Sequence, residues 1–374
     1  MPKDCANNTS IMCKVCNSKR PKLSVIIVNY NSEKFFSIVK ASLRSIFCIP
    51  VLKEVVIVDN GSTDSSRKQL ISLFNTVNYS KFCTSVKLIL LSRSVGFSNA
   101  VNVALKVLSP YSKLVMVVNN DCIINGNGIS QLIKILERIN IIGCIQGKIL
   151  QFNDRIDSAG CVLSELGDWL KIGHGLASQL LTFPYIITYA HAACFLCRRE
   201  CFKAFSKHFF VFGDDFELGP RLYAKGYIIL YYPVVAGVHY GSATALFNKD
   251  VAELTRDWST IGSIAILRLA NSYSARTFYG LCVGIIRTVL ELLISFFQVD
   301  KQKTRCIIEG VRLGLILIKE RGRLIKSGKS IELPILRVRA SYIPLILADR
   351  RVRRAYYLKE LISYLMKHGF KNLG

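Results

Sequence analysis

The sequence predicts an α/β fold with a mostly parallel sheet, helices on both of its faces and an additional C-terminal helical region. Short apolar runs alternate with helix-like stretches up to residue 150, which is the order expected of successive β-α units. Polar residues follow several of these runs, at the strand ends where open α/β sheets bind their ligands. From residue 251 onward the pattern is helical and increasingly apolar.

The first half of the chain contains five predicted strands and four predicted helices. The strands are Leu23–Asn29, Glu54–Val58, Val86–Leu91, Lys113–Val118 and Ile142–Leu150. The helices are Glu33–Phe47, with Ser32 as its cap, a segment ending near Phe74, Gly96–Leu108 and Ile129–Ile139. We expect residues 1–22 to be a flexible N-terminal tail.

The second half continues the same domain to about residue 250. Its predicted elements are a strand at Ala192–Cys197, a helix at Arg199–Phe205, an acidic helix ending near Lys225, and strands at Ile228–Tyr232 and Val234–Ser242. Residues 151–190 show few clear periods. The predicted domain therefore covers residues 23–250, in two halves divided after residue 122, and a basic helical region covers residues 251–374.

The charge of the chain is strongly basic and unevenly distributed. The formal net charge is +25, and residues 301–374 contain 18 Lys and Arg against 5 Asp and Glu. Such an excess beside apolar helices favours an anionic membrane surface. The basic residues that would suit it are Arg321, Arg323, Lys326, Arg350, Arg351, Arg353 and Arg354. The sequence has no zinc-finger or aromatic RNA-binding pattern, so we predict no nucleic-acid partner; a solvated basic face without a partner is the alternative.

The longest apolar stretch, Tyr279–Phe297, approaches the roughly 20 residues that a membrane-spanning helix needs. Arg287 and Glu291 interrupt it at a spacing that lets them pair on a helix. A charge near the centre of a span costs about 2.5–3.5 kcal/mol. We therefore predict a packed or interfacial helix, with a true membrane span as the alternative, and peripheral membrane association through the basic C-terminal helices.

The 13 Cys residues are odd in number, and many lie within apolar strand or helix patterns. Free Cys packs as a small hydrophobic residue, so this distribution does not indicate a disulfide framework. Residues 1–22 show no signal peptide. The sequence therefore predicts a protein of the reducing cytoplasm, at the inner face of the cell membrane.

An oxygen-rich triplet, Asn119-Asn120-Asp121, follows the apolar run Leu114–Val118. At the carboxyl end of a strand, such a group can hold a divalent cation against a phosphate. Asn and Asp also favour turns, so a polar strand-to-loop turn is the alternative. The first strand is followed by Asn29-Tyr30-Asn31-Ser32 and not by a G-x-G-x-x-G loop, which argues against a dinucleotide-dependent oxidoreductase.

Six segments, by their order and spacing, resemble glycosyltransferase family 2, an inverting family with the GT-A fold that includes rhamnosyltransferases and galactofuranosyltransferases. They are Ser24–Asn31, Val56–Asp64, Gly96–Asn102, Val118–Asp121, His191–Glu200 and Phe212–Arg221. They resemble the family's opening strand, its VDNGSTD motif, a helix start, a variant of its DxD motif, a strand with the following helix, and an acidic motif. The resemblance covers about residues 23–245.

The resemblance implies that the first half of the domain binds a nucleotide-diphosphate sugar and the second half the acceptor. The donor-binding residues would be Asn29, Tyr30, Asp59, Gly61, Gly96, Asn102, Asn119 and Asn120. Asp59 would accept hydrogen bonds from the base or ribose, with an Asx-turn that closes the loop as the alternative. Gly61 permits close backbone approach, the helix starting at Gly96 would face a phosphate, and Asn102 would contact the donor or cap a turn.

The resemblance also implies a divalent metal, Mg²⁺ or Mn²⁺, that Asp121 and His239 hold against the donor diphosphate. The metal would offset charge on the leaving nucleoside diphosphate. Asn119 stands where many relatives carry Asp, which weakens the charge of the site. A structural role is the alternative for His239.

Asp214 and Asp215 are the candidate catalytic carboxylates. Because adjacent carboxylates repel each other, one pKa should rise. By family position Asp215 would remove the proton of the acceptor hydroxyl, and Asp214 would set its environment. Glu217 and Arg221 would bind the acceptor, or Arg221 would pair with the acidic group. The alternative is an ordinary acidic first turn of a helix, which the helix dipole favours.

The sequence therefore predicts an inverting glycosyltransferase of the hexosyl or deoxyhexosyl class, acting on a glycan or lipid-linked acceptor. A catalytically silent sugar-nucleotide-binding protein is the first alternative, which Asn119 favours and Asp121, Asp215 and His239 disfavour. A processive polysaccharide synthase is the second, but the sequence lacks the Gln-x-x-Arg-Trp motif of those enzymes.

Overall fold

The computed structural model describes residues 10–14, 22–51, 53–78, 84–165, 168–241, 243–270, 278–326, 330–336 and 350–369. It has a large, mostly parallel central sheet with helices on both faces, followed by C-terminal helices. The predicted α/β fold class is therefore confirmed.

Strands and helices alternate through the first half, and shorter strands follow. The strands are β1 Ser10–Lys14, β2 Leu23–Asn29, β3 Lys53–Asp59, β4 Thr84–Leu90, β5 Leu114–Asn119, β6 Cys122–Ile124, β7 Ile142–Leu150, β8 Ile156–Ser158, β9 Cys161–Ser164, β10 Trp169–Lys171, β11 Tyr185–Ile186, β12 Cys194–Arg198, β13 Ile228–His239 and β14 Ile335–Leu336. The helices are α1 Phe36–Phe47, α2 Ser66–Thr76, α3 Phe97–Lys106, α4 Gly126–Arg138, α5 Asp214–Ala224, α6 Ala243–Phe247, α7 Lys249–Gly262, the π-helix α8 Ser263–Ala270, α9 Phe278–Phe297, α10 Lys301–Ile325 and α11 Arg350–His368.

The central sheet has the strand order β1-β4-β3-β2-β5-β12-β7-β13-β11. Strands β4, β3, β2 and β5 are parallel, β12 lies antiparallel between β5 and β7, and β13 is parallel to β7. One sheet thus runs through both predicted halves of the domain. The division of the chain at residue 250 remains a prediction.

The parallel strands are buried on both faces because helices cover both. All seven residues of β2 and all seven of β3 are buried, and both strands are rich in Val and Ile, as expected without a solvent face. Alternate side chains of β2 enter two cores. Ile26 and Val28 pack with α3 and α5, whereas Val25 and Ile27 pack with α1, α2 and α4.

The predicted N-terminal tail contains a strand that the sequence pattern does not reveal. Ser10–Lys14 pairs antiparallel with β4 and covers the edge of the sheet. Its side chains are exposed or half-buried, so no period-two apolar pattern marks it. Residues 1–9 and 15–21 lie outside the described residues.

The predicted helix at Arg199–Phe205 is wrong, because this segment forms irregular turns. The backbone N–H and carbonyl of Phe205 both bond the side chain of Asn102. Phe202 and Phe205 are buried in the core. A tertiary contact here replaces the local hydrogen bonds that a helix would form.

The two strands predicted at Ile228–Tyr232 and Val234–Ser242 are joined into the single strand β13. Ile228–His239 forms one strand, although Pro233 offers no N–H to the ladder. Its pairing with β7 shifts register between Tyr231 and Val235. The continuous strand carries His239 to the sheet end, where it pairs with Cys122 of β6.

The C-terminal helices pack against the domain. Ala265 of α8 shares a core with Phe216 of α5. Arg321 of α10, which the sequence assigns to a lipid surface, is instead buried, and its guanidinium donates to the carbonyl oxygen of Glu217. The side chains of Arg350, Arg351, Arg353 and Arg354 lie outside the described residues.

Candidate active site

Polar side chains from three adjacent strands meet at the carboxyl edge of the sheet. Asn29 ends β2, Asp59 ends β3 and Asn120 follows β5. The amide nitrogen of Asn29 donates to Asp59 at 3.2 Å, and its amide oxygen accepts from Asn120 at 3.3 Å. All three side chains are buried, and Tyr30 beside them is half-buried. The structure thus brings these predicted donor-binding residues together.

Asp59 closes the loop that follows β3. Its carboxylate accepts hydrogen bonds from the hydroxyl and the backbone N–H of Ser62, at 2.6 and 3.2 Å, and Arg67 lies 3.6 Å away. Asp59 therefore has the loop-closing hydrogen bonds that the sequence analysis gave as its alternative role. Gly61 has φ of +72°, and a Cβ there would overlap the backbone of Arg93, so the loop requires glycine.

Helix α3 fixes the segment that leads into α5. Gly96, its N-cap, has φ of +83°, and a Cβ there would overlap the carbonyl oxygen of Phe210. Asn102 uses both ends of its amide on the backbone of Phe205, at 3.0 and 2.7 Å. Of the two roles predicted for Asn102, the turn cap is the one that this geometry fits.

His239 lies between two carboxylates. Its Nε2 is 3.1 Å from Oδ1 of Asp121, and its Nδ1 is 2.9 Å from Oδ2 of Asp157. All three residues are buried. Burial disfavours the charged imidazolium, but the negative charges of both neighbouring carboxylates raise the pKa of His239 to about 9. The predicted pair Asp121 and His239 is thus in contact.

The Asp121–His239 pair has the spacing of two metal ligands. Adjacent ligands of an octahedral Mg²⁺ ion, each at about 2.1 Å, are about 3.0 Å apart, close to the 3.1 Å between Asp121 Oδ1 and His239 Nε2. Nε2 has no aligned hydrogen-bond partner within the described ranges. The bond from Nδ1 to Asp157 selects the tautomer that leaves Nε2 free for a metal. These residues therefore fit a divalent metal.

A second set of ligand atoms lies beside the first. Asp157, His191 and His239 offer atoms that are all within 4.8 Å of one another. Asp157, however, forms an ion pair with Lys171 at 2.9 Å, and a lysine charge so close opposes a bound cation. Asp157 is therefore better suited to orient His239 than to bind the metal itself. Burial lowers the pKa of His191, the third residue of this set, well below its usual range.

Asp214 and Asp215 open helix α5. The carboxylate of Asp215 accepts hydrogen bonds from the backbone N–H groups of Phe216 at 2.9 Å and Ala192 at 3.3 Å. Burial raises the pKa of Asp215 to about 6, and these hydrogen bonds oppose the rise. Burial and the charge of Asp215 raise the pKa of Asp214 to about 8. Both carboxyl groups thus have a raised pKa, with burial as the main cause.

The acidic pair and the His239 cluster are neighbours. Ala192, whose N–H contacts Asp215, follows His191, and the ring centroids of His191 and His239 are 5.8 Å apart. On the other side, Asp121 directly follows Asn120 of the strand-end network. Three groups of predicted residues thus form one continuous polar region: the strand-end residues Asn29, Asp59 and Asn120, the pair Asp121 and His239, and Asp215. Gly96 and Asn102 lie outside it.

The family of the domain follows from a match over this region. Residues 24–205 match the family model described as Glycosyl transferase family 2. These residues are a family 2 glycosyltransferase domain. The match covers the strand-end network and Asp121, whereas Asp215 and His239 follow it in sequence.

Solved structures similar to this glycosyltransferase share little sequence with it. The mannosyltransferase PcManGT from Pyrobaculum calidifontis, in complex with GDP-Man and Mn²⁺, is 15% identical, with 80% of this chain and 88% of that chain covered and a TM-score of 0.47. S. aureus TarS 1–349 is 19% identical, with 81% and 83% covered and a TM-score of 0.48. The same TarS fragment in complex with UDP-GlcNAc is 17% identical, with 82% and 89% covered and a TM-score of 0.47. No curated protein matches the chain.

Glu217 and Arg221 of the glycosyltransferase are engaged with each other. Their side chains form an ion pair at 3.0 Å, which confirms the predicted pairing. Arg221 also donates to the carbonyl of Ala204 at 2.7 Å. This geometry favours a structural role for the two side chains over the predicted acceptor-binding role.

The sequence did not reveal Asp157 or Lys171 as parts of the site. Both lie in the stretch 151–190, where no period or motif marks them. His191 lies in a segment that resembles the family, but nothing local gives it a role. Its contact with His239 arises only when β12 and β13 join the same sheet.

Proposed function

We propose that this glycosyltransferase moves a sugar from a nucleoside-diphosphate sugar to a hydroxyl group of a glycan or lipid-linked acceptor, with inversion at the anomeric carbon. The observation that carries the proposal is one continuous polar region. It is formed by the strand-end network of Asn29, Asp59 and Asn120, by the Asp121–His239 pair and by Asp215. These three parts would hold the nucleotide, the diphosphate and the acceptor hydroxyl.

In this proposal Asp121 and His239 hold Mg²⁺ or Mn²⁺. When bound, the ion offsets the charge that builds on the leaving diphosphate. Asp157 keeps Nδ1 of His239 protonated, so that Nε2 faces Asp121. Lys171 neutralises Asp157 in turn. Because Asn119 is neutral, Asp121 is the one carboxylate of its triplet.

Asp215 acts as the general base. Its carboxylate takes the proton of the acceptor hydroxyl while that oxygen attacks the anomeric carbon. The new carbon–oxygen bond forms as the bond to the diphosphate breaks, and the nucleoside diphosphate leaves with the electron pair. Attack from the face opposite the diphosphate inverts the carbon. Asp214 stays protonated near neutral pH, and the N-terminus of α5 stabilises the charge on Asp215.

The proposed enzyme works in the cytoplasm, at the inner face of the membrane. The basic excess of residues 301–374 supports this location. A catalytically silent sugar-nucleotide-binding protein is the second candidate, because Asn119 replaces an acidic residue. The buried pair Asp214 and Asp215, each with a raised pKa, favours catalysis, since sugar-nucleotide binding does not require it.

The proposal is tested by measuring binding and slow hydrolysis of UDP-, GDP- and dTDP-sugars with and without Mn²⁺. We expect one donor class to bind and react in a metal-dependent way. Asp121→Ala should remove the metal dependence, whereas Asp250→Ala, at an exposed acid of α7, should leave it unchanged. The proposal is wrong if no donor binds, or if Asp121→Ala keeps the metal dependence of the parent.

A further inference from the structure

One side of α9 is not covered by any part of the protein that the structure describes. Its exposed side chains between residues 285 and 297 are all large and apolar. They are Ile285, Ile286, Val289, Leu290, Leu293, Ile294, Phe296 and Phe297, each 45–79% exposed. Their spacing places them on one half of the helix circumference. We call these eight residues the α9 apolar face; it is about 18 Å long.

The charged residues of α9 lie on the opposite side and are paired inside the protein. Arg287 forms ion pairs with Asp168 at 3.1 Å and with Glu291 at 3.3 Å, and Glu291 also pairs with Arg268 at 2.9 Å. Gly284 brings α9 so close to α8 that a Cβ would overlap the carbonyl of Arg268. The protein-facing side of α9 is therefore fixed by specific contacts.

Among the described residues, α9 alone has the length and apolar composition to cross a membrane, and 28% of its window Gly280–Phe297 is buried. Crossing would carry Arg287 and Glu291 into hydrocarbon and separate them from Asp168 and Arg268, which is costly. A helix lying in the plane of the membrane keeps these ion pairs and still buries the α9 apolar face.

Helix α10 places cations beside this face. An apolar groove of about 640 Å³ lies between the end of α9 and the start of α10, and its charged lining residues are Lys301, Arg305 and Glu309. Glu309 is paired with Arg312 at 3.4 Å, so the groove itself carries a net positive charge. Lys301 and Arg305 are both exposed. An apolar surface bounded by cations is complementary to an anionic leaflet, whose acyl chains and phosphates lie at adjacent depths.

We propose that the α9 apolar face inserts into an anionic lipid leaflet, with α9 in the plane of the membrane and with Lys301 and Arg305 on the headgroup phosphates. Scattered apolar residues are normal on protein surfaces, but a contiguous face of eight marks an interaction site. The neighbouring cations favour lipid over a second protein.

The docked helix is linked to the candidate active site. Asp168, the partner of Arg287, directly precedes β10, and β10 ends at Lys171, the partner of Asp157. Trp169 of β10 also packs against Phe216, the neighbour of Asp215, with ring centroids 5.6 Å apart. If the proposed function holds, β10 thus connects the membrane-facing helix to the proposed base, which favours a lipid-linked acceptor. Docking itself does not depend on the proposed function.

The test measures flotation of the purified full chain with two kinds of vesicle: phosphatidylcholine alone, and phosphatidylcholine with phosphatidylglycerol at three to one. We expect binding to both, about tenfold stronger with phosphatidylglycerol at low salt. The double variant Leu290→Glu, Leu293→Glu should lose binding to both. The double variant Lys301→Gln, Arg305→Gln should keep binding to phosphatidylcholine and lose most of the preference for phosphatidylglycerol.

The matched control is Ile141→Glu with Leu180→Glu. These residues are 48% and 49% exposed, against 50% and 48% for Leu290 and Leu293, so the control adds the same charge at equal exposure and should float like the parent. Circular dichroism and donor hydrolysis without vesicles check the fold of each variant. The proposal is overturned if the parent binds neither vesicle, or if the α9 variant floats like the parent. It is equally overturned if light scattering shows a dimer that the α9 variant dissociates while no form binds vesicles.

Discussion

At the residue scale, the burial of ionisable side chains explains most of the candidate chemistry. Oδ2 of Asp214 is buried and has no hydrogen-bond partner in the part of the chain that the structure describes. The pKa of Asp214 is raised to about 8, against about 3.9 in an unfolded chain. The folded protein therefore holds a proton that the unfolded chain releases above about pH 4.

This linkage predicts that the free energy of unfolding falls as the pH rises from about 4 to about 8. Over this range the folded protein binds a proton at Asp214 that the unfolded chain does not bind, and this binding becomes weaker as the proton concentration falls. Asp214→Asn should remove part of the fall and be more stable than the parent at about pH 8, by on the order of a few kcal/mol. Urea denaturation at several pH values measures this, with Asp250→Asn as the exposed control. Parallel pH curves for parent and Asp214→Asn would contradict it.

Asp157 gives a second prediction at this scale. Asp157→Ala removes the acceptor of His239 Nδ1, so Mn²⁺ affinity should fall about 10–100-fold. Asp157→Asn should lose less, because its amide oxygen still accepts this bond. Electron paramagnetic resonance of free Mn²⁺ measures the affinity. A loss in Asp157→Asn as large as that in Asp121→Ala would mean that Asp157 is itself a ligand.

The sequence predicted Asp121 and Asp215 because each lies in a segment that resembles a family motif, and His239 because it stands at a position where relatives of that family have a His. It did not predict Asp157, whose partner His239 is 82 residues away. Such a contact depends on where β8 and β13 lie in the sheet, and no local pattern encodes it. Similarly, the sequence allowed two roles for Asn102, a contact with the donor or the cap of a turn. Only the hydrogen bonds with Phe205 distinguish between them.

At the element scale, the predicted strands and helices of the first half agree with the structure to within a few residues, since their apolar periods coincide with burial. Exceptions arise where tertiary contacts replace local preference, as at Arg199–Phe205, or where a strand is exposed at an edge, as in β1. The start of α3 shows how one element positions another, because Gly96 lies directly against Phe210, shortly before α5.

Gly96→Ala should therefore lower kcat for donor hydrolysis more than it raises KM, because the new Cβ displaces the segment that leads to Asp214 and Asp215. We also expect a loss of about 1–3 kcal/mol in stability from the positive φ. Gly175→Ala is the control, since Gly175 has φ of +79° but nothing within 4 Å of a Cβ. Equal kinetic effects of the two substitutions would show that α3 does not position α5.

At the scale of the whole molecule, one sheet joins the donor side to the acceptor side, and the C-terminal helices are built onto it. Arg321 of α10 reaches α5 through the carbonyl of Glu217, and Arg287 of α9 reaches Asp168 beside β10. The sequence indicated a basic, apolar C-terminal region, but it did not show which cations are buried. Burial of Arg321 and exposure of Lys301 and Arg305 depend on packing that the linear pattern does not contain.

The most direct test of the molecule as a glycosyltransferase is the rate of donor hydrolysis by Asp215→Asn, with water in place of the acceptor hydroxyl. We expect the variant to bind the donor and Mn²⁺ as the parent does, and to hydrolyse the donor about 10²–10⁴-fold more slowly. The parent rate should rise with pH through about 6, as Asp215 ionises. Unchanged hydrolysis in Asp215→Asn, with the same pH profile, would contradict the assignment of Asp215 as the base.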